Sequence, residues 1–185
     1  MARPIAVAVT GGIGAGKSEA LAAFARRGAA TASADAIVHD LLASDPEARD
    51  AIRQRWGDAA VGDRTHIGSV VFADPVELEW LERLLHPRVA RAQQAWLERV
   101  TKPVAVVEIP LLYETGGESR FDAVVVITAP RELREERRPG LAARESRLIP
   151  DEEKVRRADF AYVNDGSLAD LDAFVASVME RLSSS

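Results

Sequence analysis

Two glycines, an amine and a hydroxyl lie at a fixed spacing near the start of the chain, at Gly11, Gly16, Lys17 and Ser18. They satisfy the pattern G-x-x-x-x-G-K-[ST], in which backbone N–H groups surround phosphate oxygens, the lysine reaches the β- and γ-phosphates and the hydroxyl binds Mg²⁺. The apolar run at residues 5–9 predicts a strand before the motif. A predicted helix follows, and its positive N-terminal end favours anions. This context argues against a glycine-rich turn that matches by chance.

We therefore expect this loop to bind a nucleoside triphosphate, with Lys17 as a catalytic residue and Ser18 as the protein ligand of Mg²⁺. The residues expected to contact the nucleotide here are Gly11, Gly12, Ile13, Gly14, Ala15, Gly16, Lys17, Ser18 and Glu19.

A carboxylate and a group of arginines could complete phosphoryl-transfer chemistry with this loop. Asp35 follows a short predicted strand at residues 29–33 and could accept the proton of an attacking hydroxyl or hold Mg²⁺ through water. Its structural alternative is an N-cap for the next helix. Residues 110–114, after a later strand, could line an acceptor pocket or form an ordinary strand-to-helix corner.

The segment at residues 131–157 is rich in arginine and poor in apolar residues. As a group, these arginines could form a mobile basic lid that neutralises charge on the γ-phosphate. For any single arginine, a solvated helix face is the alternative. We expect this segment to be exposed to solvent rather than part of the core.

Strands are predicted at residues 5–9, 29–33, 104–109, 123–127 and 160–163. Helical patterns separate them, which predicts a parallel sheet covered by helices on both faces, a three-layer α/β protein of the P-loop NTPase class. Ligands of such sheets bind at the carboxyl ends of the strands. We assign residues 1–33, 103–130 and 158–185 to the nucleotide-binding core.

Residues 34–102 predict a helical insertion, which we assign to binding of the phosphate acceptor. Asp45 and Asp74 are each followed by proline, the combination typical of an N-cap and the first helical residue. His86-Pro87 predicts a break, with a new helix after it.

The composition restricts the partners. The 185 residues suit one domain with insertions, and a formal charge of −5 argues against a protein that coats nucleic acid. The absence of cysteine excludes disulfides and Cys-ligated zinc. No signal-peptide pattern precedes the first strand, and no apolar run approaches the roughly 20 residues of a membrane span. We expect a cytoplasmic monomer with a small-molecule substrate and neither a nucleic acid nor a membrane partner.

Two other nucleotide-binding classes fit the sequence less well. A GTPase would carry N-K-x-D after a late strand, whereas Asn164-Asp165 is followed by Gly166. A motor or transport ATPase would have an apolar strand that closes in Asp before a catalytic Glu. Residues 104–108 come close, but the chain continues with Ile-Pro. A small-molecule kinase is the favoured class.

Beyond the loop, the sequence resembles the dephospho-coenzyme A kinase family over nearly its whole length. The matching residues are Ala34-Asp35 with Ile37, Asp63-Arg64 with Val71-Phe72, Leu85-His86-Pro87, Ile109-Pro110-Leu111-Leu112-Tyr113-Glu114, Pro150 with Glu153-Lys154, Ala158-Asp159 and Asn164-Asp165-Gly166. The loop alone indicates a nucleotide binder, whereas the order and spacing of these elements make the resemblance specific.

The resemblance implies transfer of the γ-phosphate of ATP to the 3′-hydroxyl of dephospho-CoA, with Mg²⁺. It implies that Asp35 is the base or the hydroxyl-orienting carboxylate and that Asn164 and Gly166 lie near the adenine. From the basic segment we assign Arg137 and Arg144 to the phosphates, with Arg138 and Arg147 as alternatives. The residues expected around the acceptor are Asp35, His39, Arg64, His86, Pro110, Leu111, Leu112 and Glu114.

Three positions depart from the family pattern. Ser33 replaces a carboxylate, Glu19 replaces a threonine and Leu148 replaces a frequent glutamine. These differences leave two alternatives open, a related P-loop kinase for another nucleoside or sugar hydroxyl and an ATP-binding homologue with weakened catalysis.

Overall fold

The computed structural model describes residues 3–140 and 148–184. The chain divides into two compact units, Met1–Ser33 with Arg99–Ser185, and Ala34–Glu98. In chain order the elements are β1 (Ile5–Gly11), α1 (Lys17–Arg26), β2 (Ala30–Ser33), α2 (Ala34–Ser44), α3 (Pro46–Trp56), α4 (Arg64–Ala73), α5 (Pro75–Leu97), β3 (Val104–Glu108), β4 (Ala123–Thr128), α6 (Arg131–Arg137), α7 (Asp151–Arg157), β5 (Phe160–Val163) and α8 (Leu168–Ser183). In these two ranges, no helix combines the length and the apolar character that crossing a bilayer requires.

The first unit contains a parallel sheet with the strand order β2-β3-β1-β4-β5. In β1, β3 and β4, valine and alanine dominate and almost every residue is buried, as expected for strands that have helices on both faces. Strand β1 lies at the centre, and its Val9 is in register with Glu108 of β3. The predicted strands and the α/β fold class are confirmed.

One face of this sheet packs against α1 and α8. Phe24 of α1 and Leu171 and Val175 of α8 are buried in one cluster with Val7 and Val9 of β1. Helix α8 begins with a capping box: the Ser167 side chain accepts a hydrogen bond from the backbone N–H of Asp170, whose carboxylate bonds back to the N–H of Ser167. This packing fixes the helix that directly follows the glycine-rich loop.

The second unit is helical throughout its main elements, α2 to α5. Its core is formed by Leu42, Ile52, Ala60, Ile67, Val71, Leu81 and Leu85. Asp45 accepts a hydrogen bond from the N–H of Ala48 at 2.7 Å, and Asp74 accepts one from the N–H of Val76 at 2.8 Å. The two predicted Asp-Pro helix starts are therefore confirmed.

The predicted helix break at His86-Pro87 is wrong. Helix α5 continues through Pro87, although a proline within a helix cannot donate the usual backbone hydrogen bond. Leu81 and Leu85 are buried on the preceding turns, and Nη1 of Arg88 donates to the Leu84 carbonyl at 2.8 Å. Packing and this side-chain donor outweigh the local preference of proline.

Candidate active site

The glycine-rich loop between β1 and α1 needs glycine for geometric reasons at two positions. Gly11 has φ 139°, and a Cβ added there would lie 1.8 Å from the carbonyl oxygen of Ile127. Gly16 has φ 98°, and a Cβ there would lie 2.3 Å from Nδ2 of Asn164. Any side chain at either position would displace the loop from β4 or from Asn164.

Lys17 and Ser18 open α1 directly after the loop. The ammonium of Lys17 donates to the carbonyls of Gly11 at 3.1 Å and Gly12 at 2.8 Å, so it lies over the loop backbone. The Ser18 hydroxyl lies 3.4 and 3.5 Å from the two carboxylate oxygens of Glu108. Glu108 ends β3 and is only 8% exposed, so a buried carboxylate adjoins the hydroxyl that the motif assigns to Mg²⁺.

The oxygen atoms of Ser18 and Glu108 fit Mg²⁺. This ion prefers oxygen ligands and is usually bound through one or two protein groups together with substrate phosphates and water. Within residues 3–140 and 148–184, no cluster of three His, Asp or Glu side chains could hold a metal ion. A site formed by one hydroxyl and one carboxylate at the N-terminus of α1 therefore depends on the nucleotide for its other ligands.

Asn164 contacts the loop itself. Its amide Nδ2 donates to the Ala15 carbonyl at 2.9 Å, and both residues are buried. Gly166 is exposed and directly precedes Ser167, the N-cap of α8. Glu19 pairs with Arg26 at 3.1 Å, two turns further along α1, so its carboxylate is directed away from the loop.

Two arginines of α6 contact the same loop. Nη1 of Arg137 donates to the Gly14 carbonyl at 3.2 Å. Nε of Arg134 donates to the Ala129 carbonyl at 3.0 Å, and Nη1 of Arg134 donates to the Ile13 carbonyl at 3.5 Å. Both guanidinium groups therefore add positive charge beside the predicted phosphate site.

The expectation that residues 131–157 stay out of the core is wrong at two positions. Arg134 is 8% exposed and Lys154 is 0% exposed. Arg134 donates to the Ile13 carbonyl and Lys154 forms an ion pair with Glu114. A count of charged residues does not reveal these distant partners. Arg144 and Arg147 lie outside the described residues.

The segment after β3 holds four residues assigned to the acceptor. Pro110 and Leu111 are partly exposed, whereas Leu112 is fully buried. Glu114 forms an ion pair with Lys154, at 2.8 Å between Oε1 and Nζ.

The second unit holds the other acceptor-side residues. Asp35 and His39 lie one turn apart on the same face of α2 and are exposed. Nη1 of Arg64, the first residue of α4, lies 3.2 Å from Nδ1 of His39. Because a guanidinium only donates hydrogen bonds, this imidazole nitrogen is the acceptor in that contact. His86 is exposed on α5, and the described contacts do not join it to the other three.

The structural alternative for Asp35 is not observed. Helix α2 begins at Ala34, so Asp35 lies inside the first turn and is not the N-cap. Among the described residues, no side chain or backbone N–H is paired with its carboxylate. The helix dipole still stabilises a negative charge in this first turn.

Three side chains of the site were missed by sequence reasoning: Glu108, Arg134 and Lys154. Glu108 had a usable signal, since it is the one charged residue in the apolar stretch of residues 104–109 and falls at the carboxyl end of a strand. Arg134 had none, and Lys154 had only its place in the family resemblance, because their contacts depend on partners that are distant in sequence.

A central parallel strand that leads into a glycine-rich loop, with Lys17 and Ser18 at the start of the next helix, defines the class of P-loop nucleotide-binding proteins. The family model for dephospho-CoA kinase matches residues 5–170. The chain belongs to the dephospho-CoA kinase family.

Individual relatives agree with this assignment. A dephospho-CoA kinase from Thermus thermophilus is 35% identical over 97% of this chain and 92% of its own. One from Mesorhizobium japonicum is 38% identical over 96% of both chains. A crystal structure of a Thermus thermophilus protein superposes with a TM-score of 0.82 and 33% identity, covering 98% of this chain and 99% of the other.

Proposed function

We propose that this protein transfers the γ-phosphate of ATP to the 3′-hydroxyl of dephospho-CoA and forms coenzyme A and ADP. The observation that carries the proposal is the family match over residues 5–170, which includes the motifs on the acceptor side as well as the loop. The loop geometry supports the donor half independently, because its glycines, Lys17 and Ser18 have the arrangement that a triphosphate requires.

On the donor side, residues 11–18 hold the phosphates. Lys17 lies over the loop backbone and moves to the β- and γ-phosphates when they bind. Ser18 and Glu108 would hold the magnesium ion, which would neutralise charge on the transferring group. Arg137, at the Gly14 carbonyl, stabilises phosphate charge from the α6 side.

On the acceptor side, Asp35 orients the 3′-hydroxyl and receives its proton. The hydroxyl oxygen forms the new bond to the γ-phosphorus, and the bond from that phosphorus to the bridging oxygen of ADP breaks. The carboxylate is exposed and unpaired among the described residues, so it is available to a substrate. His39, Arg64 and His86 supply contacts to the anionic acceptor.

The remaining assignments stay predictions from the sequence. The helical unit at residues 34–102 binds the acceptor, and residues 131–157 act as the basic lid, with Arg144 as a second phosphate contact. Gly166 lies near the adenine. Pro110 and Leu111 line the acceptor pocket, and Leu112, whose side chain is fully buried, reaches it only through its backbone. A structure with an ATP analogue and dephospho-CoA tests each of these contacts directly.

A coupled assay of ADP release tests the activity. Dephospho-CoA is compared with a panel of other acceptors, including nucleosides, shikimate and simple sugars, at equal ATP and Mg²⁺. We expect turnover with dephospho-CoA alone. Turnover with another acceptor and none with dephospho-CoA would replace the proposal with a related kinase. ATP binding without turnover on any acceptor would indicate an inactive homologue.

A monomeric state and a cytoplasmic location are further predictions from the sequence. Light scattering after size exclusion measures the first, with a mass of 20.0 kDa expected for one chain. A mass near twice that value would show a dimer.

A further inference from the structure

A buried ion pair joins α7 to the segment that follows β3. Oε1 of Glu114 lies 2.8 Å from Nζ of Lys154, and their side chains are 13% and 1% exposed. The same Glu114 oxygen accepts a hydrogen bond from the N–H of Ile149 at 3.1 Å. Its other oxygen is buried and accepts no hydrogen bond from the described residues. Lys154 is therefore the main compensation for this carboxylate charge.

A second set of contacts lies on the next turn of α7. Arg157 forms an ion pair with Glu118, and its guanidinium lies 4.3 Å from the ring centroid of Tyr113. Since Lys154 and Arg157 are three residues apart, both lie on the same face of the helix. This face of α7 is thus attached to residues 113–118 by two charge contacts and a cation–π contact.

The first residue of α7 lies at the glycine-rich loop. Oδ2 of Asp151 is 3.8 Å from Nη2 of Arg134, and Arg134 donates to the carbonyls of Ala129 and Ile13. A Cβ added at Gly12 would lie 2.8 Å from Nη1 of Arg134 and 2.9 Å from Oδ2 of Asp151. Asp151 and Arg134 therefore form one wall of the loop at Gly12 and Ile13.

These contacts make one connected path through α7, from Glu114 to the loop. We propose that Glu114 is a positioning residue for ATP: its pair with Lys154 holds α7 so that Asp151 and Arg134 support the loop at Gly12. This role differs from the acceptor contact that the family resemblance assigns to Glu114. The inference rests on the proposed kinase function for its turnover readout alone, because ATP affinity can be measured without an acceptor.

Variants of Glu114 and Lys154 that remove one charge each test whether the ion pair acts through charge compensation. Glu114→Gln and Lys154→Met keep nearly the same side-chain shape and remove one charge, which leaves the partner as an uncompensated buried charge. The double variant removes both charges from the same space. If the pair acts through charge compensation, the double variant is closer to the native protein than Lys154→Met is. Glu152→Gln is the matched control, because Glu152 is exposed on the same helix.

The test measures the Kd of MgATP by calorimetry in the absence of acceptor, followed by kcat and the KM of dephospho-CoA. We expect Glu114→Gln and Lys154→Met each to weaken MgATP binding at least about threefold. The double variant should recover most of that loss, and Glu152→Gln should match the native protein. The KM of dephospho-CoA should stay within about twofold throughout.

Three results would each overturn the inference. The first is a raised KM of dephospho-CoA in Glu114→Gln with unchanged MgATP affinity, which would make Glu114 an acceptor contact. The second is native MgATP affinity in Lys154→Met. The third is a double variant whose loss of affinity is the sum of the two single losses. If the protein does not phosphorylate dephospho-CoA, kcat and the KM of dephospho-CoA cannot be measured. The Kd of MgATP can still be measured and still tests the inference.

Discussion

Replacing Asn164 by alanine removes the one described side-chain donor to the Ala15 carbonyl. The bond is 2.9 Å long, Asn164 is 7% exposed and Ala15 is 0% exposed, so water cannot readily replace the lost donor. A buried acceptor left without a donor costs about 1–3 kcal/mol. For a chain of this length, each kcal/mol shifts Tm by about 2–4 °C. We therefore expect Asn164→Ala to lower Tm by roughly 2–12 °C.

Thermal unfolding followed by circular dichroism measures this shift without nucleotide. Asn164→Asp is the sharper variant, because it keeps the shape of the side chain but places a carboxylate oxygen against the Ala15 carbonyl. We expect it to be at least as destabilising as alanine. Asp165→Ala, at the exposed neighbouring position, should leave Tm nearly unchanged.

The same variants separate two roles for Asn164. A residue that braces the loop lowers Tm in the absence of ATP and also raises the KM of ATP. A residue that only contacts the adenine, as the family resemblance implies, raises the KM of ATP and leaves the nucleotide-free Tm unchanged. The second outcome would refute the bracing role.

Three further predictions concern the chemistry and the acid stability. Lys17→Ala and Asp35→Ala should each lower kcat at least about a hundredfold in the ADP-release assay; near-native turnover of Asp35→Ala would remove the proposed base. Glu108→Gln should raise the Mg²⁺ concentration needed for half-maximal turnover with little change in Tm, and an unchanged Mg²⁺ titration would contradict its role. The hydrogen bond from Arg3 holds the pKa of Asp122 below its ordinary value, with a further contribution from the N–H of Ala6. Because the folded state depresses this pKa, the contribution is present above about pH 4 and is lost as the pH falls further. Asp122→Asn should therefore lower Tm at pH 7 and flatten the acid limb of the stability profile; a parallel profile would refute the coupling.

Features set by neighbouring residues could be predicted from the sequence. Asp45 and Asp74 cap helices because an aspartate before a proline satisfies local N–H groups in any context. The buried strands follow from continuous apolar runs. The phosphate-binding loop follows from its motif, although the atoms that exclude a side chain at Gly11 and Gly16 belong to the distant residues Ile127 and Asn164.

Features that depend on distant partners could not be predicted. Proline disfavours a helix locally, yet Pro87 lies within α5, whose preceding turns pack into the core of the second unit. Lys154 looks like a solvated lysine in its own segment, and it is buried because Glu114 lies opposite. The acceptor-side roles of His39, Arg64 and His86 came from the family resemblance, since isolated polar residues on helices have no chemical signature of their own. Asp35 was indicated already by its position after a predicted strand.

The position of the transferred phosphate tests the central claim most directly. The protein is incubated with MgATP and dephospho-CoA, and the purified product is examined by ³¹P NMR. We predict one new phosphomonoester signal, assigned to the 3′-position of the ribose by its coupling to the attached proton, in an amount equal to the ADP released. A phosphate at another position, or ADP release without a phosphorylated product, would contradict the assignment.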